Sequence, residues 1–73
     1  MIEYRASRIY APGEMEGSED SDFFAATITV DGDSDDTHFG AICCWGVTEK
    51  EATERRGLIL AALSQLSMVK VTQ

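Results

Sequence analysis

Residues 23–47, FFAATITVDGDSDDTHFGAICCWGV, decide the fold. Two apolar runs flank a short segment holding Asp31, Asp33, Asp35 and Asp36. In the first run Phe24, Ala26, Ile28 and Val30 share one face, and Phe23, Ala25, Thr27 and Thr29 the other. A period of two in β-branched and aromatic residues predicts a strand. In the second run Phe39, Ala41, Cys43, Trp45 and Val47 alternate with His38, Gly40, Ile42, Cys44 and Gly46. Both sets carry apolar side chains, which predicts a central strand covered on one side and partly on the other. Gly40 and Gly46 mark bulges or close backbone approach. Between the runs, Asp31-Gly32 suits the positive φ of a tight hairpin turn.

Upstream, MIEYRASRIY (residues 1–10) places Tyr4, Ala6 and Tyr10 on one alternating face, interrupted by Arg8, and predicts another strand. Residues 11–22 then form an acidic, mobile loop opened by the Pro12-Gly13 turn signal. Downstream, Thr48 and Glu51 make an S/T-x-x-E capping box, in which the hydroxyl takes an amide of the first turn and the carboxylate reaches back to the cap. The helix it starts has a predicted core stripe of Ala52, Ile59, Leu63 and Leu66, widened by Leu58, Leu60, Ala61 and Ala62. Gly57 costs that helix about 1 kcal/mol, which close approach to the sheet or to another helix would offset. Residues 68–73, MVKVTQ, read as either a fraying helix end or a short last strand. The expected class is α+β: one domain, residues 1–73, built as a small antiparallel three-stranded β-meander with one C-terminal helix packed on it.

So short a chain buries only about 60% of its unfolded surface, so its core is marginal. Cys43 and Cys44 are adjacent, and a disulfide between neighbours closes no useful loop, so reduced thiols in a cytoplasm are expected. No signal-peptide pattern opens the sequence. Formal charge is −7, and residues 9–48 hold nine acids without a Lys or Arg. Such a field repels nucleic-acid phosphate and anionic membrane, and attracts a cationic partner.

The acidic loop has a candidate ligand role. Asp31, Asp33 and Asp35 copy the first ligand positions of a calcium loop, but Asp36 stands where Gly is required and Ile42 where Glu is required. A solvated turn and a partner-facing acidic tip remain. His38, Cys43 and Cys44 are the soft ligands, and strand alternation divides them between faces. His38 and Cys44 would stand roughly 20 Å apart along an extended strand, too far for a nucleophile and its base. The paired carboxylates lie in exposed loops, where burial cannot tune them. Neither G-x-G-x-x-G nor a Walker pattern is present. The expectation is a protein without catalytic residues, metal or cofactor. A single helix covers one sheet face only, so an uncovered apolar face would favour a homodimer or a partner protein.

The stretch CWGVTEKEATERRGLILAAL (residues 44–63) resembles the end of the HicB-like antitoxin domain, where a strand leads through G-x-T-x-x-E-A into a helix. Gly46, Thr48, Glu51 and Ala52 occupy those positions, and the likeness spans residues 23–66. The Pro-Asp-Leu-Pro-Gly-type segment of that family is replaced here by THFGAIC. The resemblance implies a sheet-plus-helix fold and a partner-binding, toxin-pairing or self-associating role. In size and acidity the chain is also similar to phage-encoded inhibitors of host defence, including anti-CRISPR proteins, some of which present carboxylates in place of nucleic-acid phosphates. Together these readings lead to an expected non-enzymatic inhibitor that docks on a basic, nucleic-acid-binding protein surface. Glu19, Asp20, Asp22, Asp31, Asp33, Asp35 and Asp36 would supply steering and rim contacts. Exposed pairs add only about 0–1 kcal/mol each, so an apolar anchor is needed beside them.

Overall fold

The computed structural model describes residues 1–32 and 38–73, with residues 38 and 39 described by their backbone alone. The Asp33–Asp36 tip therefore lies outside the described residues. The chain runs β1 (Ile2–Tyr10), β2 (Phe24–Asp31), β3 (His38–Gly46), α1 (Glu49–Leu63) and β4 (Val69–Thr72). The expected meander is present: β1 pairs antiparallel with β2, and β2 with β3. The sheet nonetheless has four strands and is mixed, in the order β3-β2-β1-β4, with β4 parallel to β1. Residues 68–73 supply that fourth strand. After α1 crosses the sheet, Met68 takes φ 62° and turns the chain, and Ile2 N–H donates to Met68 O at 3.2 Å.

β3 is an edge strand rather than the predicted central one, because β1 occupies the other side of β2. On its far face Ala41 and Trp45 are exposed. Cα atoms span 35 × 25 × 12 Å, and the short axis is the thickness of one sheet with one helix.

The core lies between sheet and helix. Ala26, Ile28, Cys44, Ala52 and Leu60 are buried together, with Tyr4, Ala6, Ile9, Phe24 and Val71 packed around them. Ile28 and Leu60 are the largest fully buried side chains, each worth about 1.5–3 kcal/mol by area removed from water. The face of β1 differs from the alternation expected. Its register shifts between Ala6 and Ile9, so Ile9 joins the core while Tyr10 stands opposite Ala25 on the uncovered face. A bulge inserts one residue and resets the parity downstream. Arg8 stacks over Tyr10 with its guanidinium carbon 4.6 Å from the ring centroid.

The helix is also rotated from the expected stripe. Ala52 and Leu60 are buried, whereas Ile59 is largely exposed and Leu66 lies beyond the helix. The position between them on the inner face is Arg56, which apolar periodicity passes over. Its Nη1 donates to the carbonyls of Ser7 and Thr27, both at 3.3 Å, where the bulge interrupts the ladder. The Thr27 hydroxyl donates to Arg8 O at 2.8 Å, and the Ser7 hydroxyl meets Thr27 Oγ1 at 2.8 Å. Gly57 does not approach the sheet, since a Cβ there would meet nothing within 4 Å. Gly46 does make a close approach, to the first turn of α1. Gly40, with φ +92°, sits where the β2–β3 register shifts.

Candidate functional site

Residues 11–23 join β1 to β2 through three consecutive turns. Glu14 N–H donates to Ala11 O, Ser18 N–H to Met15 O and Ser21 N–H to Ser18 O, at 3.0, 3.0 and 3.1 Å. Gly13 (φ +76°) and Gly17 (φ +87°) each occupy the third place of a turn, where a left-handed residue is required. Gly13 also lies against Glu19 O, 3.0 Å from where a Cβ would be, so the first turn packs on the third.

This stack of turns orients the acids. The Glu19 carboxylate accepts from Gly17 N–H at 3.2 Å. Hydrogen bonds from its own amide and from that of Gly17 hold its pKa below the usual value. Ser21 Oγ accepts from Phe23 N–H at 3.1 Å and fixes the entry to β2. A groove of about 620 Å³ results, with Glu19 and Asp20 on the wall of turns and Phe23, Trp45 and Arg55 opposite. Phe23 is 47% exposed and Trp45 36%. Arg55 does not neutralise the acids across the groove: Nη1 donates to Trp45 O at 2.6 Å and Nη2 pairs with Glu51 at 3.0 Å. A second hollow of about 400 Å³, lined by Cys44, Leu58 and Ile59, shares Trp45 and Arg55 with the first. The apolar surface is thus continuous around the end of β3.

The expected acidic surface is divided. Glu19, Asp20 and Asp22 are exposed on or beside the turns. Asp31 lies at the end of β2, where Arg5 Nη2 reaches its Oδ2 at 3.3 Å. Arg8 similarly pairs with Glu14 at 3.5 Å. β1–β2 pairing folds Arg5 onto the distant Asp31, while Glu14 reaches Arg8 from the turn that directly follows β1. Asp33, Asp35 and Asp36 lie outside the described residues.

Residue patterns pointed to the acids, set Leu58 and Ile59 in the helix's apolar stripe and Phe23 on the sheet face opposite Phe24, and gave Trp45 and Arg55 no part in a site. One signal was available: Leu58, Ile59 and Leu60 are consecutive, and a helix on one sheet cannot bury all three. Leu58 is 72% exposed and Ile59 41%.

Other chemistry is sparse. Both thiols are free. Burial pushes the Cys44 thiol above its ordinary pKa, partly offset by the nearby Arg56 charge, so this sulfur is a poor nucleophile. Among the described residues no group of three His, Cys, Asp or Glu side chains is placed to hold a metal. No helix among them is long and apolar enough to cross a membrane.

The four residues behind the HicB-like resemblance act together at the strand–helix junction. Thr48 Oγ1 accepts from Glu51 N–H at 3.1 Å as expected, whereas Glu51 Oε1 reaches one residue past the cap amide and accepts from Val47 N–H at 3.3 Å. Gly46 leaves no room for a side chain against Ala52, which is completely buried. No family model matches the chain, and neither a curated protein nor a solved structure does.

Proposed function

We propose that this protein is a non-enzymatic interaction module that docks its groove on a Lys/Arg-rich surface of a partner protein, of the kind that otherwise holds nucleic acid. In this reading it is an inhibitor of the type carried by phages and mobile elements. The observation that carries the proposal is the juxtaposition of the Glu19 and Asp20 side chains with the half-exposed rings of Phe23 and Trp45. Carboxylates steer a basic surface into place; a desolvated aromatic pair supplies the binding energy that exposed ion pairs lack. The same rings can also stack on arginine guanidinium groups. Asp22 extends the acidic rim, while Asp31, already paired with Arg5, contributes less.

The test is affinity capture from host lysate at low and high salt, with heparin as competitor. The expected result is a partner that is displaced by heparin, released as salt rises, and lost from both the Glu19→Gln/Asp20→Asn double variant and Trp45→Ala. A partner indifferent to both variants and to heparin would overturn the proposal.

A second reading, HicB-like pairing with a toxin or with a second copy through apolar surface, is favoured by the exposure of Leu58 and Ile59. It differs in being insensitive to salt and lost on Leu58→Ser/Ile59→Ser.

A further inference from the structure

The outer edge of β3 is unlike the other edge of the sheet. β4 is four residues long and carries exposed Lys70, two features that protect an edge from added strands. β3 has nine residues, and positions 39–47 hold no charge and no proline.

The direction of its backbone groups follows from two independent contacts. Thr27 O is taken by Ser7 Oγ at 3.2 Å and by Arg56, so it faces β1. In an antiparallel pair both polar groups of a residue face the same way and alternate along the strand. Thr27–Cys43 is therefore a non-hydrogen-bonded pair, as are Thr29–Ala41 and Ala25–Trp45 of the same register. Ala41, Cys43 and Trp45 accordingly turn their N–H and C=O groups away from β2. Trp45 O agrees, since it accepts from Arg55 rather than from β2. Arg55 caps that last carbonyl, and the open run extends from Ala41 to the Trp45 N–H, room for about five residues of added strand over about 17 Å. Ile42, Leu58 and Ile59 stand exposed along the helix side of this run.

Charge selects the occupant. Glu19 and Asp20 lie at the Trp45 end. At the other end His38 pairs with Asp31, whose carboxylate Arg5 already holds. A second copy would bring together two chains of charge −7 each. A foreign strand with a basic end meets opposite charge at Glu19 and Asp20. We propose that the β3 edge is a β-addition site for an extended partner segment with alternating apolar residues and Lys or Arg at the end that meets Glu19 and Asp20. This rests on the interaction reading above and names the class of partner segment.

The test uses seven-residue peptides of alternating Val and Thr, ended by Lys or by Glu, titrated to millimolar concentration and followed by amide hydrogen exchange. In the free protein the amides of Ala41 and Cys43 should exchange fast and those of Ile42 and Cys44 slowly. Lys-ended peptides should slow Ala41, Cys43 and Trp45 at least tenfold, and Glu-ended peptides should not. Cys43→Pro, which removes an outward N–H without touching the β2 ladder, should weaken binding at least tenfold; Ala41→Lys, on the same edge, should do likewise if the proline variant fails to fold. Protection of Ala41 and Cys43 in the free protein with a dimer in sedimentation would overturn the proposal in favour of a second copy. Failure of every Lys-ended peptide to protect these amides, or equal protection by Glu-ended ones, would overturn it outright. A lysate partner retained by Cys43→Pro but lost from Trp45→Ala would sink the edge site and leave the groove reading standing.

Discussion

Gly46→Ala measures how tightly the strand–helix junction is built. A Cβ at residue 46 would lie 2.9 Å from Ala52 Cα and from Glu51 C, and nearer still to Ala52 N. All three are backbone atoms of a helical turn held by its capping box, so none can rotate aside. Carbon atoms rest about 3.5–4.0 Å apart, so α1 would have to retreat by roughly 0.6–1 Å. That movement pulls Ala52 from a core in which it is wholly buried. Overpacking of this kind costs about 1–3 kcal/mol, and the stiffer unfolded chain returns about 0.4–1 kcal/mol. A net loss of about 1–2 kcal/mol lowers Tm by about 5–15 °C in a domain of this size. Gly57→Ala is the control. It meets open space in mid-helix and should gain about 0.8–1 kcal/mol from helix propensity, raising Tm by about 4–8 °C. Thermal and urea unfolding followed by circular dichroism measure both. A Gly46→Ala protein as stable as the parent, with Gly57→Ala unchanged or weaker, would refute the assigned junction and helix rotation.

Thr48→Ala removes the cap on Glu51 N–H and should cost about 1 kcal/mol in urea unfolding. Arg56→Met leaves the bulge carbonyls of Ser7 and Thr27 without their charged donor and should cost about 1–3 kcal/mol, although it puts a more apolar residue on the inner face of the helix. Maleimide should label half-buried Cys43 before Cys44, as read by mass spectrometry of Cys43→Ser and Cys44→Ser. Since the folded pKa of Cys44 is raised, the native state keeps a proton that the unfolded chain releases, and stability should fall as pH rises above the ordinary thiol pKa; Cys44→Ala should flatten that slope. Glu19 has a lowered folded pKa, so its contribution to the turns is present above the unfolded carboxylate pKa and is lost as pH falls through the folded value. Carboxylate carbon shifts in an NMR titration should show Glu19 protonating at lower pH than a model glutamate.

Residues 24–30 and the Thr48–Glu51 cap were legible because each encodes its structure within a few positions: a period of two, or a hydroxyl three residues from a carboxylate. The Pro12-Gly13 turn was legible for the same local reason. The faces were less so. The bulge at Ser7–Arg8 carries no apolar signature, yet it exchanges which of Ile9 and Tyr10 enters the core. Arg56 hid the helix's inner stripe, because its purpose, satisfying two carbonyls of other strands, is invisible until those strands are paired.

The sequence by itself determined the first three strands and the helix, their order, the strand–helix junction and the excess of negative charge, all of which depend on neighbours along the chain. Tertiary structure decided that residues 69–72 would add as a fourth strand parallel to β1, that β3 would lie at an edge, and that Arg5 would sit on Asp31. It also decided that Glu19 and Asp20 would share a groove with Trp45. Those outcomes depend on contacts between residues far apart in the chain, which form only when the whole sheet and its crossing helix bury their shared face together.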